Sequence, residues 1–203
     1  MDGPHLHVWS LKRWLLELHY DLLLIDLHVQ NEWDKSLSEF EKCVLASEDH
    51  RFFSHFGVDF ISIAREFFRL ITLRRVRGAS TIEMQFVRTI TANYSRTLTR
   101  KLREAVLAYV IQFRYSKIQI LRSYLRKAFF GSHLIGANCA ARKIYGRSAM
   151  ELRGSEATLI ASMLIYPRPH EPTPEWEERV SKRGLYINFL YRRHEEKLNK
   201  LPA

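Results

Sequence analysis

Between Ser47 and Asp59 the chain reads SEDHRFFSHFGVD, a glutamate–aspartate pair followed closely by Phe52, Phe53, His55 and Phe56. Aromatic packing beside a carboxylate strips it of water and favours its neutral form. That raises its pKa toward the range useful to a general base. A solvated acidic helix end fits the same residues, and His55 reads also as a packed, hydrogen-bonded histidine. A second segment, RGASTIEMQFVR from Arg77 to Arg88, offers a free turn at Gly78 and a helix start at Ser80. The positive end of that helix, flanked by Arg77 and Arg88, makes an anion site, although many helices are capped without serving as one. In a third segment, RTLTRKLRE, Arg100, Lys101 and Glu104 fall within about one helical turn, with Arg96 just ahead. Such a group can hold a pyrophosphate beside a carboxylate, or can be a salt-bridged surface.

Between the first two segments, Phe67, Phe68, Leu70, Ile71 and Leu73 interleave with Arg65, Arg69, Arg74, Arg75 and Arg77. A basic amphipathic helix of this kind suits the interface of an anionic bilayer. A core helix with an arginine-rich outer face is the alternative.

Helices must position these groups, because helix signals recur from end to end and no alternating strand is evident. Ser38 with Glu41 has capping-box spacing ahead of Phe40, Val44 and Leu45. Asp59 can cap a helix through Ile63 and Ile71, and Ser80 with Glu83 predicts another capping box. A long helix is expected from about Leu98 to Phe113, with Leu102, Ala105, Val106 and Tyr109 facing the core. Ser116 can cap a helix carrying Ile120, Leu121, Tyr124 and Leu125. Gly146 should stop one begun at Gly136, Ser148 with Glu151 restarts a short one, and Ser155 to Ile165 reads as buried. Pro167, Pro169, Pro172 and Pro174 force an extended loop before a charged amphipathic helix from Glu175 onward. The expected fold is all-α, mostly helical.

A length of 203 residues suits one domain with a proper core, and 46% apolar composition excludes disorder and an integral membrane bundle. Lysine and arginine exceed acidic residues by 32 to 22, pointing to an anionic partner: nucleic acid, membrane surface or phosphate-bearing substrate. No nucleic-acid-binding signature is evident. Cys43 and Cys139 read as buried free thiols, and no metal motif appears; His5 and His7 near the start are weak evidence for one. Residues 1–35 read as an N-terminal segment that is neither signal peptide nor transmembrane helix. The apolar run Leu22–Ile25 is hemmed in by Asp21 and Asp26 and falls far short of the ~20 residues a span needs. The main domain is taken as 36–203.

Individually modest, these segments are specific in their order. Glu48, Asp49, Phe52, His55, Gly57 and Asp59 match EDxxFxxHxGxD, and Gly78, Ser80, Thr81, Ile82 and Gln85 match GxSTIxQQ. Arg100, Lys101 and Glu104 match RKxxE, while Lys117, Ile120, Leu121, Tyr124 and Leu125 match KxxILxxYLN. The chain in this respect resembles the peptidoglycan glycosyltransferase domain, glycosyltransferase family 51, of class A penicillin-binding proteins and monofunctional transglycosylases. The resemblance runs from about Leu37 to Arg183. It implies a lysozyme-like helical fold with a small membrane-facing jaw subdomain at about 60–78. It implies lipid II and a lipid-linked glycan chain as substrates, Glu48 as the base and Glu104 as the group ordering basic residues or a divalent cation, Mg²⁺ or Mn²⁺, at the donor. By the same resemblance Asp49, Ser80, Gln85, Arg88, Arg96, Arg100, Lys101 and Arg179 would bind substrate. No covalently held cofactor is required. The place implied is the periplasmic face of a bacterial inner membrane, with an anionic lipid surface and other cell-wall synthesis proteins as partners and no nucleic acid.

Two positions depart from the family pattern. Met84 stands for a glutamine and Arg126 for an asparagine, and both are expected to alter substrate affinity if they touch substrate. A glycan-cleaving lysozyme-like enzyme would need one acidic glutamate but no pyrophosphate cradle. A non-catalytic lipid II or membrane-binding member would have no need of both Glu48 and Glu104.

Overall fold

The structure, a computed structural model, describes residues 5–29, 36–72 and 80–199. Among them run helices α1 (His5–Asp26), α2 (Glu39–Glu48), α3 (Phe60–Ile71), α4 (Ile82–Thr91), α5 (Leu98–Arg114) and α6 (Lys117–Lys127). Then come strands β1 (Phe129–Gly131) and β2 (Leu134–Ile135), and helices α7 (Ala137–Tyr145), α8 (Gly154–Ser162) and α9 (Pro174–Asn199). The fold is mostly helical, as the sequence predicts; the short antiparallel pair β1–β2 is an addition to that expectation.

Most helix starts follow their caps. Ser38 forms a capping box with Glu41, Ser116 with Gln119 and Ser148 with Glu151, while Asp59 Oδ1 accepts from the backbone N–H of Ile61 and Ser62. Gly146, at positive φ, ends α7. The expected Ser80–Glu83 box does not form. Thr81 is the N-cap of α4, its Oγ1 accepting from Met84 N at 3.3 Å, and Glu83 is instead turned fully inward to pair with Lys117. The proline loop is pinned to β1: Arg168 N donates to Phe130 O and Ser132 N donates to Arg168 O, both at 2.8 Å.

One continuous core joins two helix groups. In the first, α8 is covered by α9 and α2, with Ala157, Ile160 and Ala161 wholly buried. In the second, α4 lies against α6, α5 and α1, contributing Ile82, Phe86 and Val87. A buried ion pair, Arg122 Nε to Glu41 Oε1 at 2.8 Å, ties α6 to α2. Gly57 holds the chain against α5 at φ +70°, where an added Cβ would lie 2.4 Å from the Ala108 carbonyl oxygen.

The expected buried face of α5 holds only at its edges, where half-buried Ala105 and Val106 pack against the core. Glu104, Leu107, Ala108 and Ile111 are buried, whereas Leu102 and Tyr109 are exposed. The helix carries apolar residues on two faces out of phase by two residues, and periodicity alone picked the other one. Of the cysteines, Cys43 is buried as expected and Cys139 is exposed. Residues 73–79, with Arg74, Arg75, Arg77 and Gly78, lie outside the described residues, as does the side chain of Phe67.

Candidate active site

Glu48 is the last residue of α2. Burial pushes its pKa up, opposed by the Arg183 guanidinium and by hydrogen bonds from Gln85, Arg183 and Ser47. The helix C-terminus, which carries partial negative charge, disfavours the ionised form in the same sense as burial. Arg183 Nη2 lies 3.3 Å from Glu48 Oε1. Gln85 is itself held by the Tyr124 hydroxyl, which donates to its Oε1 at 2.7 Å. Glu48 opens onto a cleft of about 770 Å³ lined also by Ser80, Gln85, Arg65, Arg69 and Arg183, within the size range of ligand sites.

Asp49, adjacent to it, lines a smaller pocket together with Glu48, Ser80 and Thr81. Its carboxylate receives His55 Nε2 at 3.0 and 3.1 Å and the Ile82 backbone N–H at 3.1 Å, joining the first motif to the start of α4. His55 is thus the packed, hydrogen-bonded histidine, set edge-on to the buried Phe52. Asp49, His55 and Glu83 bring ligand atoms within 4.8 Å of one another; the Lys117 ammonium donates to Glu83 Oε1, while Glu83 Oε2 and His55 Nδ1 are buried with no hydrogen-bond partner among the described residues. Through the Asp49 contacts with His55 and Ile82 N and the Lys117–Glu83 contact, the cluster fastens the first motif to α4 and α6.

The third motif builds a cation cradle. Glu104, on the buried face of α5, accepts from Arg88 Nε at 2.8 Å and Nη2 at 3.1 Å, and from Arg100 Nη1. This pairing is bidentate on the Arg88 side, the strong form of such a contact, and it raises the pKa of Arg88. Lys101 Nζ donates to Ser80 Oγ at 3.0 Å, which links the cradle to the cleft wall. Burial and the neighbouring Arg88 lower the Lys101 pKa. Arg100 Nε and Arg183 Nε are buried with no hydrogen-bond partner among the described residues, so both are donors left open.

The predicted set is therefore partly brought together. Glu48, Ser80 and Gln85 share the cleft; Arg88, Arg100, Lys101 and Glu104 form the cradle joined to it at Ser80. Arg96 lies on the exposed connection before α5, and Arg179 lies on the exposed side of α9. The arginine that reaches Glu48 is Arg183, one turn beyond Arg179, which sequence reasoning missed; the signal was a second arginine at helical spacing on α9. Two arginines read as bilayer-facing, Arg65 and Arg69, line the cleft with Glu66. Met84 packs with Val58 and Ala108, and Arg126 borders a separate apolar pocket with Cys139 and Met150, so neither departure lines the Glu48 cleft.

Comparison with known proteins identifies the family. The family model described as transglycosylase matches residues 29–189. The chain is 36% identical over 159 residues to the biosynthetic peptidoglycan transglycosylase of Shewanella denitrificans, covering 75% of this chain and 69% of that protein. It is 36% identical over 151 residues to penicillin-binding protein 1A of Rickettsia felis, covering 72% of this chain and 19% of that protein. With penicillin-binding protein 1A of Haemophilus influenzae it shares 37% over 147 residues, 72% of this chain and 17% of that one. The chain thus spans about a fifth of the length of the penicillin-binding proteins it matches.

Proposed function

The chain belongs to the transglycosylase family and is a glycosyltransferase, and from that premise we propose that it polymerises lipid II into peptidoglycan strands with Glu48 as the general base. The observation that carries this reading is a half-buried carboxylate of raised pKa at the wall of a cleft that leads, through Ser80, to a preformed cluster of cations.

Glu48 would remove the proton from the 4-hydroxyl of the acceptor sugar as that oxygen attacks the anomeric carbon of the lipid-linked donor. The new C–O bond forms while the bond to the pyrophosphate breaks, and the electron pair leaves with the pyrophosphate. Direct displacement inverts the anomeric centre without a covalent intermediate. Negative charge grows on the leaving group, and donors already fixed in place lower the barrier most, because they need not reorganise. Arg100 and Lys101 would take this role, and their contacts with Glu104 and Ser80 support it.

Of the two roles open to Glu104, ordering the basic groups is the better supported. Arg88 and Arg100 engage its oxygens, which leaves it poorly suited to ligate a metal. A divalent cation, Mg²⁺ or Mn²⁺, would have to ride on the pyrophosphate itself, as Mg²⁺ often does. The substrate, an amphiphile, implies work at a bilayer, on the periplasmic face of the inner membrane for a bacterial cell-wall enzyme. Exposed Phe68 and Ile71 on α3, beside the cleft-lining Arg65 and Arg69, support a membrane contact there.

The test is incubation with purified lipid II, followed by separation of products by size. Glycan strands that lengthen with time support the reading; unchanged lipid II, or shortening of preformed strands, would overturn it.

A further inference from the structure

Helices α1 and α5 each carry two apolar faces. On α1, Leu18 and Ile25 enter the core with half-buried Trp14; Leu16, Tyr20, Leu23 and Leu27 are exposed on one outward face, and Leu11, Leu15 and Leu24 are exposed beside it. On α5, Leu107 and Ile111 are buried, while Leu98, Leu102, Tyr109 and Phe113 are exposed, Leu98 to 88%. Leu16, Tyr20, Leu23 and Leu27 on α1, and Leu98, Leu102, Tyr109 and Phe113 on α5, recur at helical spacing and are displaced by two residues from the buried set of their helix. At 3.6 residues per turn, two residues are about 200°, so each exposed set points almost directly away from the core. The helices lie side by side. Arg103 donates to Glu17 Oε2 at 3.0 Å and to Asp21 Oδ2 at 2.7 Å, and Arg114 donates to Asp26 Oδ2 at 2.6 Å. The two outward faces therefore form one surface. Phe56 extends it, its ring 4.6 Å from that of Phe113 and 5.2 Å from that of Tyr109.

We propose that this surface, built from α1 and α5, is a lipid-facing plate that lies on an anionic bilayer. Three observations choose lipid over another occupant. The charges on the two helices near the plate are positive in balance: Lys12, Arg13, Lys101, Arg103 and Arg114 stand against Glu17, Asp21 and Asp26, which pair with Arg13, Arg103 and Arg114. Such a balance complements anionic headgroups, and the whole chain carries a formal charge of +10. The plate is leucine and aromatic in make-up, with Tyr20 and Tyr109 supplying rings that suit the boundary between headgroup and hydrocarbon. Finally, α5 joins the plate to the cation cradle: Lys101 is three residues from Leu98 and so adjacent to it round the helix. A lipid pyrophosphate held by Arg100 and Lys101 would begin its hydrocarbon beside Leu98 and Leu102, directed into the layer beneath. This last point rests on the proposed donor site; the first two do not. No described helix is long and apolar enough to cross a membrane, which suits a helix lying in the interface plane.

The experiment uses the full chain and vesicles of phosphatidylglycerol with phosphatidylcholine, without substrate. In a Cys139→Ser background, with Cys43 buried, an environment-sensitive dye is attached at Leu23→Cys, Phe113→Cys or Arg192→Cys, the last an exposed position on α9. The dyes at 23 and 113 should shift to the blue on vesicle addition, the dye at 192 should not, and the response should weaken with salt. Leu23→Ser with Leu27→Ser should weaken vesicle affinity by roughly tenfold or more. Both side chains are exposed, so circular dichroism and melting should be unchanged. Silent dyes at 23 and 113 would overturn the proposal, whether the protein stays in solution or binds vesicles through another surface. A blue shift without vesicles that grows with protein concentration would overturn it in favour of a second copy of this chain. Because no substrate is present, failure here leaves the polymerase reading standing, and failure of polymerisation leaves the plate standing.

Discussion

Glu104 is buried and Glu48 half-buried, each beside arginine, yet their partners differ in kind. Glu104 is gripped by Arg88 and Arg100, whereas Glu48 has a single longer contact with Arg183 and keeps a raised pKa. Glu48→Gln should lower turnover by roughly 10²- to 10⁴-fold, the usual worth of a general base, while leaving binding of a pyrophosphate-containing donor analogue near wild type. Glu104→Gln should impair turnover and analogue binding together, because it releases Arg88 and Arg100. Polymerisation and analogue binding measured side by side separate these outcomes. A base must be ionised to act, so the rate should climb as pH rises through the elevated Glu48 pKa. Arg183 favours the ionised carboxylate, so Arg183→Met should move that limb to higher pH; a limb that stays in place would show that Glu48 is not the group titrating. Stability runs the other way. A carboxylate whose folded pKa is raised loses stability as pH climbs from its unfolded value through the folded one. Wild-type melting should therefore fall relative to Glu48→Gln across that window.

Within α4, Met84 and Thr81 matter to the fold before they matter to substrate. Met84 is buried with Val58 and Ala108, so restoring the family's glutamine would place an amide in an apolar pocket. Met84→Gln should cost about 1–3 kcal/mol in denaturant unfolding and should not raise affinity for lipid II. Just ahead of α3, Gly57→Ala combines a positive φ with a collision against the Ala108 carbonyl. It should cost at least as much, about 1–3 kcal/mol, and loosen the first motif from α5. Thermal melting with a lipid II turnover assay checks both variants. If Met84→Gln is as stable as wild type, the packing described for α4 is wrong.

Across the whole molecule, the cleft is closed by contacts between distant parts of the chain. Arg183 reaches Glu48 over 135 residues of sequence because α9 packs closely on α8, where Gly184 faces Thr158. An added Cβ at Gly184 would lie 3.4 Å from Thr158 Oγ1, at the edge of ordinary contact. Gly184→Ala should therefore be close to neutral, while Gly184→Leu should push α9 outward, lower the melting temperature and reduce turnover together. Equal activity in the two variants would show that the α8–α9 approach does not position Arg183. The buried Arg122–Glu41 pair makes the same point for stability. Arg122→Ala would leave Glu41 charged in the core, and breaking such a pair costs roughly 3–5 kcal/mol.

The amino-acid sequence by itself determined the helical class, most helix boundaries and the order of the motifs. Ser38, Asp59, Ser116, Ser148 and Gly146 act through hydrogen bonds and backbone preferences that span a few residues, so they are legible without the rest of the chain. Tertiary structure decided which apolar face of α5 is buried, and with it that Glu104 lies inside while Leu102 and Tyr109 lie outside. Two faces of equal periodicity cannot be told apart until α4 and α1 land on the helix. It also decided that Glu83 meets Lys117 rather than capping α4, and that Arg183 rather than Arg179 turns to Glu48. A charge inside the protein takes whichever partner the packing brings within reach, and that is a property of the assembled helices, not of any one of them.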